Sequence, residues 1–178
     1  MTEANSSLAL PDILAPRLSV VFCGINPGML AATTGHHFAG RGNRFWRVVH
    51  LAGFTPMLLC PEDDRVFLQY GYGLTTAVAR ATARADMLSR SEIMTAASAF
   101  EEKIGCLAPR HIAFLGKMAL SAITARRDIE WGPQAKAFGG ARAWVLPNPS
   151  GLNRSFSLDA LVSAYRELHT AASSAAAV

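Results

Sequence analysis

Asn26 sits in the run Gly24-Ile25-Asn26-Pro27-Gly28, where two glycines and a proline leave room only for a tight turn. The four residues before it, Val20-Val21-Phe22-Cys23, are apolar and largely β-branched or aromatic, the composition of a buried strand. In an open parallel sheet the loops diverge at the carboxyl ends of the strands and leave a crevice there. Asn26 would stand on its floor. A carboxamide neither gives nor takes a proton near neutrality, so its chemistry is hydrogen bonding: orienting a water or matching a ligand's edge. A strand followed by Gly-x-x-x-Gly is common in α/β proteins and alone marks only a turn. A second segment of the same kind lies near the other end, where Val145-Leu146 runs into Pro147-Asn148-Pro149-Ser150-Gly151-Leu152-Asn153-Arg154. Two such loops could face each other across one cleft.

Other residues bear on what the cleft would hold. Leu152 is an apolar residue in a polar loop; it either inserts into a partner or tucks back into the core, and the sequence leaves both open. Phe38 lies in the second half of the stretch 29–42, which reads as a loop of about a dozen residues, long enough that function or disorder would account for it. Phe38 could offer a flat face to a ring or pack inward. His36-His37 are adjacent, with no third ligand at a metal-site spacing, so no metal centre is expected. Arg41, Arg44 and Arg47 put positive charge beside the loop, where phosphates could lie; a solvated helix face accounts equally for Arg47.

These loops need a frame. Asn43 is placed to cap a helix in which Phe45, Trp46, Val48, Val49 and Ala52 recur at helical spacing, with Gly53 at its end. Pro61-Glu62-Asp63-Asp64 has the proline and acids of a first helical turn. A short second strand over 73–78 is followed by a basic loop, 80–84, and Ser89-Arg90-Ser91-Glu92 is a capping box opening a long helix that Pro109 closes. A strand over 111–116 leads into a helix ending near 125, the stretch 128–140 is irregular, and a last strand over 143–146 precedes an amphipathic helix over 158–171. This alternation predicts a three-layer α/β/α sandwich with a central, mainly parallel sheet of about four to five strands, right-handed crossovers placing the strand ends on one side. The expected organisation is one domain over 17–171, between a loosely held lead-in, 1–16, and a frayed tail, 172–178.

With 178 residues, 51% of them hydrophobic, the chain can bury one substantial core. Its net charge of +4 suits a polyanionic partner without requiring one. Cys23, Cys60 and Cys106 form no C-x-x-C pair and are fewer than the four thiolates of an iron–sulfur cluster, and no secretory signal precedes them. They read as reduced thiols of an intracellular, cytoplasmic protein. No apolar run approaches the ~18 to 20 residues of a membrane-spanning helix, so no membrane association is expected.

Taken in order, Gly24-Ile25-Asn26-Pro27-Gly28, Gly35-His36-His37-Phe38, Asn43-Arg44-Phe45-Trp46 and Asn148-Pro149-Ser150-Gly151-Leu152-Asn153-Arg154 resemble the mismatch-specific uracil-DNA and thymine-DNA glycosylase family, over about 12–168. The resemblance implies a uracil-DNA glycosylase-like fold, no cofactor, and a monomer acting on double-stranded DNA carrying G:U or G:T mispairs. The activity it implies is hydrolysis of the N-glycosidic bond of a base swung out of the duplex. It also implies roles. Backbone groups of Gly24 and Ile25, with the Asn26 amide, would match the base edge, and Asn26 would orient the attacking water. Phe38 would stack on the base, His37 would line the pocket, and Asn148 would contact the flipped nucleotide or the leaving base. Leu152 would fill the hole in the stack on a DNA-binding loop with Ser150, Gly151 and Asn153 that also contacts the orphaned guanine, Arg154 would add a phosphate or base contact, and Arg41 and Arg44 would lie toward phosphates. Faster members of the wider superfamily carry a carboxylate where Asn26 stands and a histidine where Asn148 stands, which implies slow chemistry here. The His36-His37 pair resembles the thymine-active branch, whereas Asn148-Pro149-Ser150-Gly151-Leu152 resembles the uracil branch. No lysine lies in either loop to form a Schiff base. Two rivals stand beside this: a mononucleotide-binding protein, disfavoured because neither G-x-G-x-x-G nor G-x-x-x-x-G-K-[ST] occurs, and a protein that flips and holds a lesion without cutting.

Overall fold

β1 (Val20–Gly24) is apolar along its length because both its faces are covered. Val20 and Phe22 project into one hydrophobic layer and Val21 and Cys23 into the other, as the two-residue period of a strand requires. The computed structural model describes residues 9–174, so positions 1–8 of the expected lead-in and 175–178 of the expected tail lie outside the described residues. β1 pairs in parallel with β2 (Tyr72–Thr76) on one side and β3 (His111–Leu115) on the other. β5 (Arg142–Leu146) follows in parallel, and β4 (Gly132–Pro133) adds a short antiparallel edge, giving the order β2-β1-β3-β5-β4.

On one face lie α2 (Phe45–Leu51), a 3-10 helix over Pro61–Tyr70 and α5 (Leu158–Ser174). Phe22 is their common contact: its ring meets Phe45 edge-on at 5.4 Å and lies near-parallel to Tyr165 at 6.2 Å. On the other face lie α3 (Arg90–Leu107) and α4 (Lys117–Thr124), which send Ile93, Phe100, Ile104, Ala119 and Leu120 against the sheet. The result is the expected three-layer α/β/α sandwich with a mainly parallel sheet. Ser89 caps α3 as its sequence requires, Glu92 N–H donating to Ser89 Oγ and the Glu92 carboxylate accepting from Ser89 N–H.

Several expectations change. The stretch 29–42 is not loop throughout: α1 (Met29–Thr34) forms in its first half and is stopped by Gly35 in the left-handed region. The lead-in is tied down from residue 10. Ile13 and Leu74 exchange two backbone hydrogen bonds, of 2.9 and 2.8 Å, and Asp12 accepts from Thr75 and Lys103. Gly73 makes that approach possible, since a Cβ there would lie 2.8 Å from the Ile13 carbonyl oxygen. At the other end α5 runs to Ser174 with Ala172 buried, so 172–174 are helical. No helix among the described residues is long and apolar enough to cross a membrane.

The four parallel strands end on one side of the sheet. The chain leaves β1 for β2 at one flank and then crosses to β3 at the other, the reversal at which open sheets leave a crevice.

Candidate active site

A cleft of about 430 Å³ opens at those strand ends, with Gly24, Thr76 and Leu115 at its base. Asn26 lines it, and its side chain is held from behind. Nδ2 donates to the Arg80 carbonyl and to Thr82 Oγ1, each at 2.8 Å. A carbonyl can only accept, and the Thr82 hydroxyl is itself donating to the Arg84 carbonyl at 2.7 Å, so both partners require the NH₂ end of the amide. Oδ1 is left as the acceptor without a protein partner among the described residues. The turn is fixed to the exit of β2, where Ala77 N–H donates to the Gly24 carbonyl and Val78 N–H to that of Ile25.

Phe38 forms a second wall. Its ring stacks on Phe45 at 3.9 Å between centroids and 19° between planes, while the side chain also lines the cleft. Its φ of 57° is uncommon for a side chain of this size and is enforced by its neighbour. His37 N–H donates to the buried Asp64 carboxylate at 3.0 Å, its carbonyl accepts from Trp46 Nε1 at 3.1 Å, and its Nε2 lies 2.8 Å from the Pro11 carbonyl. Because that carbonyl can only accept, the proton resides on Nε2. Burial pushes the His37 imidazole below its usual range, so it is a neutral lining group. His36 points instead toward Asp64, Nδ1 to Oδ2 being 3.6 Å.

The loop after β5 closes the cleft from the opposite side. Asn148 Oδ1 accepts from Ser150 N–H at 2.9 Å and its carbonyl accepts from Asn153 Nδ2 at 2.9 Å, so Asn148, which lines the cleft, keeps Nδ2 as a donor without a protein partner among the described residues. Leu152 is 75% exposed at the loop's tip. The loop is held from beneath by Arg44, whose guanidinium donates to the carbonyls of Pro149, Ser150, Asn153 and Phe156. The expected phosphate contact at Arg44 is corrected accordingly: four of its five N–H donors go to backbone carbonyls, and its charge lies under the loop. Arg41 is exposed at the mouth of the cleft, and Arg154 is exposed on the loop itself. Tyr165, fully buried on α5, donates from its hydroxyl to Pro147 at 3.1 Å; burial pushes its phenol far up, so it stays a donor. At Gly151 a Cβ would come within 2.8 Å of the Gly42 carbonyl oxygen, so the close packing of the two loops depends on a glycine there.

The structure brings Gly24, Ile25, Asn26, His37, Phe38, Asn148, Ser150, Gly151 and Leu152 around one cleft. It places Asn153 behind the loop as a brace. Thr82, Asp64 and Tyr165 were not anticipated; the acidic run at Asp64 signalled only a helix start, and nothing local marked Thr82. No carboxylate and no lysine is among the lining residues, and Cys23, although next to the turn, is kept a protonated thiol by burial. The cleft therefore offers an aromatic face, the free Oδ1 of Asn26, amide donors on Asn148 and Asn43, and the neutral imidazole of His37.

A mainly parallel α/β sandwich with its cleft at the strand ends is the class that fold and site define. Within that class, the model of the Uracil DNA glycosylase superfamily matches residues 11–169, so the chain belongs to this superfamily and is by family a DNA glycosylase. The solution structure of a Methanosarcina acetivorans protein named as a candidate uracil DNA glycosylase superposes with a TM-score of 0.60 at 23% identity, covering 90% of this chain and 97% of that one, and so shares the fold.

Proposed function

We propose that this protein is a monofunctional glycosylase that flips uracil, and thymine or modified cytosine in addition, out of mispairs with guanine in duplex DNA and hydrolyses its bond to the sugar. The observation that carries this is the pair of amides facing one cleft with opposite ends free. Asn26 Oδ1 accepts from a water and aims it at C1′, while Asn148 Nδ2 donates to the base. The C1′–N bond breaks with its electron pair leaving on the base, and water oxygen bonds to C1′ of an oxocarbenium-like sugar, releasing a proton to solvent. Such a sugar needs a positioned water more than a strongly activated one. Stabilising charge on the departing base is then the main lever, the role donors play in an oxyanion hole. Phe38 supplies the stacking face, worth roughly 1 to 3 kcal/mol per base. Leu152, exposed on a braced loop, is shaped to occupy the vacated stack, and the same loop faces the orphaned guanine. The absence of lysine among the lining residues supports simple hydrolysis without a lyase step.

Single-turnover excision from G:U, G:T and A:U duplexes and from single-stranded U tests this. G:U should be cut fastest, A:U and single strands poorly, and Asn26→Ala should slow cutting by roughly two to three orders of magnitude. Equal cutting of single strands would remove the wedge and guanine-reading roles. Tight duplex binding with no excision of any base would replace the enzyme with a protein that flips and holds a lesion.

A further inference from the structure

Trp131 lies beside the Leu152 loop but outside the cleft. It immediately precedes Gly132, which pairs with Val145 near the carboxyl end of β5, the strand that feeds the loop. Its indole is 42% exposed, whereas Trp46 and Trp144 are buried. It meets the ring of Phe156 edge-on at 5.3 Å, and the Phe156 carbonyl is one of those held by Arg44. Lys117, the first residue of α4, places Nζ 4.9 Å from the indole centroid. The start of α4 is fixed to the same strand end, Gly116 N–H donating to the Leu146 carbonyl at 2.8 Å. Asp128, the nearest charged residue of the Trp131 segment after Glu130, pairs with Arg126, and among the described residues no carboxylate lies within ion-pair distance of Lys117.

We propose that Lys117 and Trp131 form a second contact for the DNA backbone, extending the interface past Leu152 along the strand. This rests on the reading that the chain acts on duplex DNA. An ammonium held over an indole is poorly suited to burial against an apolar protein partner, because it would lose its water without gaining a counter-charge. A phosphodiester supplies that charge, and the exposed indole edge packs against the adjoining deoxyribose. One ring face is already covered by the ammonium, so the contact is with phosphate and sugar and carries no base preference. Arg154 is exposed on the loop between Leu152 and Phe156, the residue whose ring meets Trp131.

The test compares Asn26→Ala with Asn26→Ala/Lys117→Met, both binding a duplex with one G:U pair, across a series of salt concentrations. Loss of one phosphate contact should lower the slope of log K against log salt by about 0.9 and weaken binding roughly five- to tenfold near ~0.1 M salt. Separately, iodide quenching of tryptophan fluorescence in Asn26→Ala should fall when duplex is added, and Trp131→Phe should abolish that change, since the other two tryptophans are buried. An unchanged slope, or iodide access unaffected by bound duplex, overturns the proposal while duplex binding by the parent keeps the DNA reading intact. Failure of the parent to bind duplex withdraws both.

Discussion

In the proposed reaction Asn26 can hold a water only if its amide faces one way. Rotated by half a turn, its NH₂ would point into the cleft and offer a water donor nothing to give its proton to. Arg80 and Thr82 prevent that rotation with two hydrogen bonds to Nδ2. Thr82→Val keeps the shape and removes one of them, a loss of ~1 kcal/mol in holding the amide. The single-turnover rate on G:U should fall about five- to tenfold while affinity for abasic duplex stays as it was. A drop in affinity matching the rate would place Thr82 in DNA binding. Asn26 itself was visible in the sequence because glycine and proline dictate a turn locally. Thr82 was not, since it lies 56 residues away and only the parallel pairing of β1 with β2 brings it near.

The loop after β5 is an element whose shape is decided elsewhere. Its proline, glycine and asparagine residues announce a loop, yet the carbonyls that fix its course are bonded to Arg44, 105 to 112 residues away in sequence. A planar guanidinium with five donors can hold several carbonyls at once, which a lysine cannot. Arg44→Met should cost about 2 to 4 kcal/mol, lowering Tm by about 5 to 15 °C, because partly buried carbonyls lose charged donors. The variant's remaining excision should discriminate less between G:U duplex and single-stranded U, read as the ratio of their single-turnover rates, because Leu152 is no longer presented rigidly. If Tm and that ratio are both unchanged, the brace has no role. Arg44 was misjudged as a phosphate ligand because an arginine beside a loop has the same local signature whether it faces solvent or the chain's own backbone.

At the scale of the whole molecule, burial leaves a pH signature. His37, His111 and His169 are all pushed below the usual imidazole value of 6.5 by desolvation. The folded state therefore binds protons less readily than the unfolded chain. The stability these neutral histidines allow is fully present above about pH 6.5 and is lost as pH falls toward their lowered values. Denaturant midpoints should be lower at about pH 5.5 than at about pH 7.5. A flat profile would mean the imidazoles are as well solvated folded as unfolded. Glu92 does not contribute in that window, since its hydrogen bonds from Arg80 push its carboxyl down to about 2.

What the sequence determined by itself is whatever depends on neighbours along the chain. The apolar run of β1, the turn at Asn26, the Ser89 capping box and the helix periods are set by backbone dihedrals and by which side of an element is apolar, and these are local properties. The alternation of strand and helix then implied the parallel sandwich, because few other arrangements bury such elements. Tertiary structure alone decided which polar atoms remain free. Asn26 Oδ1 and Asn148 Nδ2 stay free because their other ends are bonded, Arg44 turns inward because four carbonyls converge on it, and Ile13 is held because Gly73 has no side chain. Each of those outcomes is a competition for hydrogen-bond partners or space between segments far apart in sequence, and it is settled only when the sheet brings them together.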